Sequence, residues 1–330
     1  MRALVARQYG SADVLALEDL PAPEPGPGQV RVRITAAGLN PADLRTLSGV
    51  MREVAPLSFP HVPGSDFAGT VTSVGDGVSR FIPGDEIFGL GLPYAAKAMA
   101  DLVSAPPSLT TGTMAEYAVF DADTPALAHR PPDLPTDHAA TLPIAGLTAL
   151  PLLRAGTFAR GMRVLVIGAA GGVGGAVVPL LAARGVHVIA TAIPDDEPYV
   201  RALGAAEVID YRSTDPGAET LRRHPDGVDT LVNLAQSGPA LVELARAIRP
   251  GGRLLNIAFP SPDPAAFGDV RVDTVFTQAG PGDLDELAAL AIRGTLPNTI
   301  THHYQPAEAE RAYTDLANTH TTGKLVVMWP

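Results

Sequence analysis

The sequence predicts an α/β chain of two parts, a small antiparallel β-barrel or sandwich and a doubly wound parallel sheet. Three observations carry this expectation. The first third holds short runs of period-two alternation closed by glycine or proline. From about residue 164, apolar strands alternate with helix-length segments, the signature of βαβ units covered on both faces. The first of these strands runs into a helix through a glycine-rich turn, Gly168–Gly174.

Composition narrows the class. At 330 residues, with 46% hydrophobic and 18% charged, the chain can bury a sizeable core and is long enough for two domains. It has 33 glycines and 32 prolines, which implies many tight turns between short elements. The absence of cysteine excludes disulfides, thiolate zinc sites, iron–sulfur clusters and a cysteine nucleophile. A net charge of -11 argues against nucleic acid or an anionic membrane as partner. No apolar run reaches membrane-spanning length, and Met1–Arg7 is too short and too soon polar for a signal peptide, so a cytoplasmic location is expected.

In order along the chain, strands are expected at Val30–Ile34, Ala68–Val74, Glu86–Phe88 and Ala115–Phe120. The long segment from Gly89 to Gly112 reads as a rim or lid. Thr136 to Leu153 reads as a helix capped by Thr136 and broken by Pro143 and Gly146. Strands Val164–Ile167, Val186–Ala190, Glu207–Ile209, Thr230–Leu234 and Arg253–Ile257 then alternate with helices Gly174–Arg184, Pro198–Leu203 and Pro239–Ile248. Helices Leu284–Ile292 and Pro306–Leu316 and a last strand, Lys324–Trp329, complete the pattern.

The glycine turn fits G-x-G-x-x-G in the register Ala169-x-Gly171-x-x-Gly174, with Gly172 and Val173 between. Such a loop makes a sharp turn, lets the backbone approach a pyrophosphate and aims helix N–H groups at it. Dinucleotide binding is the expectation, and the second part is a Rossmann domain. An NAD-selective site carries an acid at the end of the second strand, which here reads Thr191-Ala192-Ile193. That favours NADP(H), whereas Asp195, Asp196 and Glu197 just beyond disfavour a 2′-phosphate and leave NAD(H) open.

At this point the chain resembles the zinc-independent quinone oxidoreductase and enoyl reductase branch of the medium-chain dehydrogenase/reductase superfamily. The residues that carry the resemblance include Ala36–Asp43, Pro63–Val71, Val78–Asp85, Met114–Tyr117, Gly146–Leu150, the glycine loop, Ala202–Ala205, Val208–Tyr211 and Thr322–Lys324. It implies a GroES-like β-barrel catalytic domain built from both chain ends, 1–124 and 279–330, with the Rossmann domain, 125–278, between them. It also implies NAD(P)H-dependent reduction, with Asn40 near the nicotinamide ribose, Thr148 beside the nicotinamide, Lys324 lining the site with Asn40, and Tyr211 touching the adenosine phosphate. Asn233 stands where relatives commonly carry the aspartate of Asp-x-x-Gly-Gly, after the fourth strand.

Where zinc-dependent relatives carry Cys, His–Glu and Cys, this chain has Asn40, Ser65–Asp66 and a stretch near Ile144, so no metal is expected. The eight histidines show no ligand spacing along the chain. Without a Lewis acid the reducible group is expected to be a quinone or the C=C of an α,β-unsaturated carbonyl, a small-molecule substrate. Many relatives place tyrosines after the Asn-Pro-x-Asp motif; Arg45 and Met51 stand there, and Tyr94 is the nearest replacement proton donor. Asn40, Arg45 and Tyr94 are therefore the candidate catalytic residues. These departures leave open a specialised biosynthetic enzyme, a non-redox cyclisation or elimination on the same fold, or an inactive nucleotide-binding protein. The strand Arg253–Ile257 and the segment Val270–Thr277 are expected at an exposed sheet edge, where relatives commonly dimerise, which suggests a homodimer.

Overall fold

The computed structural model describes residues 1–53, 55–92, 111–261 and 263–330. Tyr94 and most of the expected rim segment lie outside the described residues. Two compact units emerge. The first comprises Met1–Leu147, Thr277–Arg293 and Asn298–Pro330; the second comprises Thr148–Phe276 and Gly294–Pro297. The first break falls later than the 124/125 boundary expected from sequence. The reason is the strand Leu127–His129, which pairs with Glu86–Leu90 and keeps its neighbours in the first unit.

The first unit is a β structure with one continuous seven-stranded sheet. Its order is Ile300–Tyr304, Lys324–Met328, Gln29–Gly38, Asp66–Val74, Glu86–Leu90 and Leu127–His129, with Tyr117–Asp121 pairing on Gln29–Gly38. A two-stranded hairpin, Arg2–Ala6 with Leu15–Asp19, is tied on by bridges Ala3–Ala115 and Ala6–His61. The long strand Gln29–Gly38 therefore serves three neighbours, and its alternating burial points Val30, Val32 and Ile34 into the core. There they meet Phe67, Phe120 and Trp329, with Phe67 stacked on Phe120 at 4.3 Å between centroids. Sequence reading missed the strands Arg2–Ala6, Leu15–Asp19, Leu127–His129 and Ile300–Tyr304, which have too few alternations to stand out.

The second unit is a six-stranded sheet, parallel throughout, in the order Glu207–Asp210, His187–Ala192, Arg163–Ile167, Val228–Asn233, Ile248–Asn256, Arg271–Thr274. This is the doubly wound arrangement of a Rossmann domain, with the strand order reversing beside Arg163–Ile167. The outermost strand on one side is Arg271–Thr274; the expected edge at Arg253–Ile257 is internal, because Ile248–Asn256 pairs with Val228–Asn233 on one side and Arg271–Thr274 on the other. The helix expected at Pro239–Ile248 ends at Ala245, because Ile248 already pairs with Val228.

The helical stretch after residue 135 departs from expectation. It divides into Thr136–Ala139, entered from Pro135, and Leu142–Gly156, which runs unbroken through Pro143 and Gly146. Pro143 sits in the first turn, where no amide hydrogen is needed. Pro151 lies inside the helix and leaves the carbonyl of Leu147 without its usual donor. The backbone N–H of Gln278 fills that role at 3.1 Å. Among the described residues, no helix is long and apolar enough to cross a membrane.

Candidate functional site

Two constellations hold the sequence-predicted site residues, one in each unit. The first gathers around a buried ammonium. Lys324 opens the strand Lys324–Met328, and its side chain is 3% exposed. Its Nζ donates to the backbone oxygen of Leu39 at 3.0 Å, to Asn40 Oδ1 at 2.7 Å and to Asp66 Oδ2 at 2.9 Å. Three donors meet three acceptors, so the charge is fully satisfied. Asn40 Nδ2 donates in turn to Asp66 Oδ2 at 2.9 Å, and the backbone N–H of Ile144 donates to Asp66 Oδ1 at 2.7 Å. The amide of Asn40 is thus fixed in orientation by a cation on its oxygen and an anion on its nitrogen.

A second layer supports the first. Asn40 immediately precedes the helix Pro41–Leu47, and its backbone N–H donates to Asp43 Oδ2 at 3.0 Å. The buried Tyr313 hydroxyl donates to the same oxygen at 3.0 Å. Burial pushes the Asp43 carboxyl up to about 7, with the Asp66 charge adding to it and the Asn40 and Tyr313 hydrogen bonds opposing it. Burial and the neighbouring Asp43 hold the Tyr313 phenol well above its ordinary range. Arg45 lies in the last turn of the Pro41–Leu47 helix, half-buried. Asp66 and Tyr313 were not singled out for this role from sequence. Asp66 stood only as a replaced zinc-ligand position, and Tyr313 lies 270 residues from Asp43, with no local pattern to mark it.

The second constellation is the glycine loop at the carboxyl edge of the parallel sheet. Gly168 takes a left-handed conformation, φ +82°, as the chain leaves strand Arg163–Ile167. A Cβ on Gly174 would lie 2.2 Å from the carbonyl oxygen of Ala169, so only glycine lets the helix Gly174–Ala183 start this close to the turn. Gly171 is open by contrast, with nothing nearer to such a Cβ than the Gly168 oxygen at 3.6 Å. The Thr191 hydroxyl accepts from Gly168 N at 3.2 Å and donates to the Val166 oxygen at 3.3 Å, tying the loop to the neighbouring strand. Asn233 and Asn256, in register on adjacent strands, join by an Nδ2 to Oδ1 bond of 2.6 Å. Asn233 also donates to the Gln236 oxygen and accepts from its nitrogen, so its amide shapes the loop that follows. Tyr211, 44% exposed, follows the strand Glu207–Asp210. Thr148 is buried, one turn beyond Ile144 on the helix Leu142–Gly156.

These features fit a dinucleotide: bare backbone forced by close packing at Gly174, open space in front of Gly171, a helix amino end behind the turn, and a hydroxyl bracing it. The positions that hold zinc in zinc-dependent relatives do not fit zinc here. They offer an amide and a carboxylate, with the Lys324 ammonium seated on both.

Two outcomes test the first constellation. Lys324→Met leaves the Asp66 charge buried without its cation and should lower unfolding free energy by about 3–5 kcal/mol; adding Asp66→Asn should recover part of that loss in urea denaturation. The Asp43 carboxyl, near 3.8 when unfolded, stands at about 7 in the fold. Its contribution to stability is therefore complete below the lower value and lost as pH rises through the upper one. Asp43→Asn should match the parent's melting temperature near the lower value and exceed it increasingly toward pH 8, read by thermal melts across that range.

The comparisons with known proteins agree with this geometry. Residues 26–131 match the alcohol dehydrogenase GroES-like domain family, and residues 203–327 match the zinc-binding dehydrogenase family. The chloroplastic quinone-oxidoreductase QR1 of Triphysaria versicolor is 30% identical, covering 99% of this chain and 98% of its own. The chloroplastic NADPH-dependent alkenal/one oxidoreductase of Arabidopsis thaliana is 35% identical over 76% of this chain and 64% of its own. The solved structure of the quinone oxidoreductase from Coxiella burnetii superposes with a TM-score of 0.87 at 28% identity, over 99% of both chains. With a GroES-like unit, a Rossmann unit and full-length kinship to quinone oxidoreductases, this chain is an oxidoreductase belonging to the quinone oxidoreductase branch of the medium-chain dehydrogenase/reductase superfamily, whose members use a nicotinamide cofactor.

Proposed function

We propose that the chain is a metal-independent NAD(P)H-dependent reductase of a quinone or of the C=C of an α,β-unsaturated carbonyl. One observation carries this reading: Lys324 and Asp66 lock the Asn40 amide where zinc-dependent relatives place a metal ligand. A donor set without imidazole or thiolate offers no Lewis acid to polarise a simple ketone. The substrate must then be electron-poor by itself, as quinones and enones are. The names of the Triphysaria and Arabidopsis relatives point to these two classes.

The reduced nicotinamide supplies a hydride when bound. The backbone N–H groups of Gly172, Val173 and Gly174 would hold its pyrophosphate over the open face at Gly171, whose own N–H donates to the Gly168 oxygen at 3.3 Å, and Asn40, positioned by Lys324, and Thr148 its nicotinamide half. Ala169 and Thr191 keep the loop in shape. Tyr211 is exposed and free to rest against the adenosine side. Arg45 takes the place of a tyrosine found in many relatives. A guanidinium does not release its proton near neutral pH, so Arg45 would stabilise negative charge on the substrate oxygen and water would deliver the proton.

NADPH is the preferred cofactor in this reading. The second strand ends without an acid, and the acidic cluster beyond it is weaker than its sequence suggests. Glu197 is paired with Arg201 at 2.7 Å, Asp196 is buried, and only Asp195 stands exposed. A homodimer through the outer strand Arg271–Thr274 is also proposed, supported by the exposed Phe259 and Phe276 beside that edge.

A panel of quinones and enones should consume reduced nicotinamide absorbance with purified protein, at least for one member. Cofactor binding without turnover across both classes would defeat the reductase reading. Asp195→Arg should tighten NADPH binding several-fold, about 1 kcal/mol, and leave NADH nearly unchanged in fluorescence titrations. Equal response of both cofactors would place the 2′-phosphate elsewhere.

A further inference from the structure

The histidines scattered along the sequence are not all scattered in the fold. His187 opens the strand His187–Ala192, Glu207 opens the neighbouring strand Glu207–Asp210, and His224 follows the helix Pro216–Arg223. Separations of 20 and 17 residues hid the group from any spacing rule. In the fold both imidazole Nε2 atoms converge on one oxygen, Glu207 Oε1, at 2.6 Å from His187 and 2.8 Å from His224. Among the described residues, this is a group whose ligand atoms all lie within 4.8 Å of one another.

We propose that His187, Glu207 and His224 form a binding site for a divalent transition-metal ion of zinc's class, completed by water. Two imidazoles and one carboxylate are the donor set that borderline ions such as Zn²⁺, Co²⁺ and Ni²⁺ accept, with a position left for solvent. The side chains are 39%, 22% and 17% exposed, so an ion has an open entry path. Tetrahedral bonds of about 2.0–2.2 Å set ligand atoms roughly 3.3–3.5 Å apart, so each imidazole nitrogen must draw back from Glu207 Oε1 by about 0.5–0.8 Å, which side chains anchored on separate elements permit.

The surroundings define what loading does. Arg163 Nη1 faces His224 Nδ1 at 3.3 Å and can only donate, so the unloaded His224 carries its proton on Nε2. Metal binding at Nε2 moves that proton to Nδ1 and turns Arg163 away, with no net change in protons for a neutral imidazole. Arg223, 3.3 Å from the other Glu207 oxygen, holds the carboxylate in place. The site lies at the amino end of the strands, whereas the glycine loop lies at their carboxyl end, about 16 Å away along the strand. The ion would therefore pin the starts of two strands and a helix exit, stabilising the sheet without touching the redox chemistry.

The test uses untagged full-length protein, stripped with chelator and titrated with Zn²⁺ and Co²⁺. One ion per chain at micromolar affinity, together with a rise in melting temperature of at least ~2 °C, is expected. His187→Gln/His224→Gln should weaken binding at least ~10-fold and remove that rise, with NAD(P)H titration unchanged as the check on folding. His302→Gln/His303→Gln should bind as the parent does. If the first double variant fails to fold, Glu207→Gln read by the same titration decides, with weakened binding expected. No stoichiometric binding by the parent, or binding that survives loss of His187 and His224 or follows His302 and His303, overturns the proposal.

Discussion

A buried ammonium needs every proton accepted, and the first unit is organised around meeting that demand. An unpaired charge in a protein interior costs several kcal/mol even after relaxation. Lys324 escapes that cost only because three separate elements converge on it: the end of strand Gln29–Gly38 through Leu39 and Asn40, the start of strand Asp66–Val74, and its own strand. Asp66 is satisfied in the same way, by the cation, the Asn40 amide and the first turn of the helix Leu142–Gly156. Charge satisfaction and the placement of Asn40 are one and the same arrangement. Asp43 and Tyr313 extend it by holding the backbone of Asn40 from below.

The second unit solves a different problem, how to bring bare backbone to a surface. Glycines provide the opening, but neutral side chains keep it open. Thr191 stitches the turn to the adjacent strand, and the Asn233–Asn256 pair ends two strands in register. An aspartate at 233 could not donate to Asn256 or to the Gln236 oxygen; the asparagine can, and its Nδ2 supplies both bonds. The departure from the family's pattern at this position thus has a structural purpose in this chain.

The sequence made the parallel sheet legible because its strands are apolar and its turns are marked by glycine, so period and punctuation agree. The barrel was only partly legible. Short strands such as Leu127–His129 exist through pairing with Glu86–Leu90 rather than through any local alternation. Pro143 and Gly146 misled for a similar reason: a proline in a first turn breaks nothing, and the carbonyl freed by Pro151 finds Gln278 far along the chain. At the site, Asn40, Lys324 and the glycine loop stood out by motif. Asp66 as the cation's partner and Tyr313 as Asp43's did not, since both depend on contacts between distant segments.

The first unit's dependence on Lys324 sets need against the order of synthesis. The sheet unit is almost one uninterrupted stretch, Thr148–Phe276, and all six of its strands precede Lys324 in the chain. Asp66 and Asn40 are made early and then wait for a cation more than 250 residues away. Until it arrives, the Asp66 carboxylate stays hydrated and the strand Gln29–Gly38 lacks its neighbour Lys324–Met328. The parallel-sheet unit thus has all its strands in hand before Lys324 is made, while the first unit gains the partner of Asp66 only with that late strand.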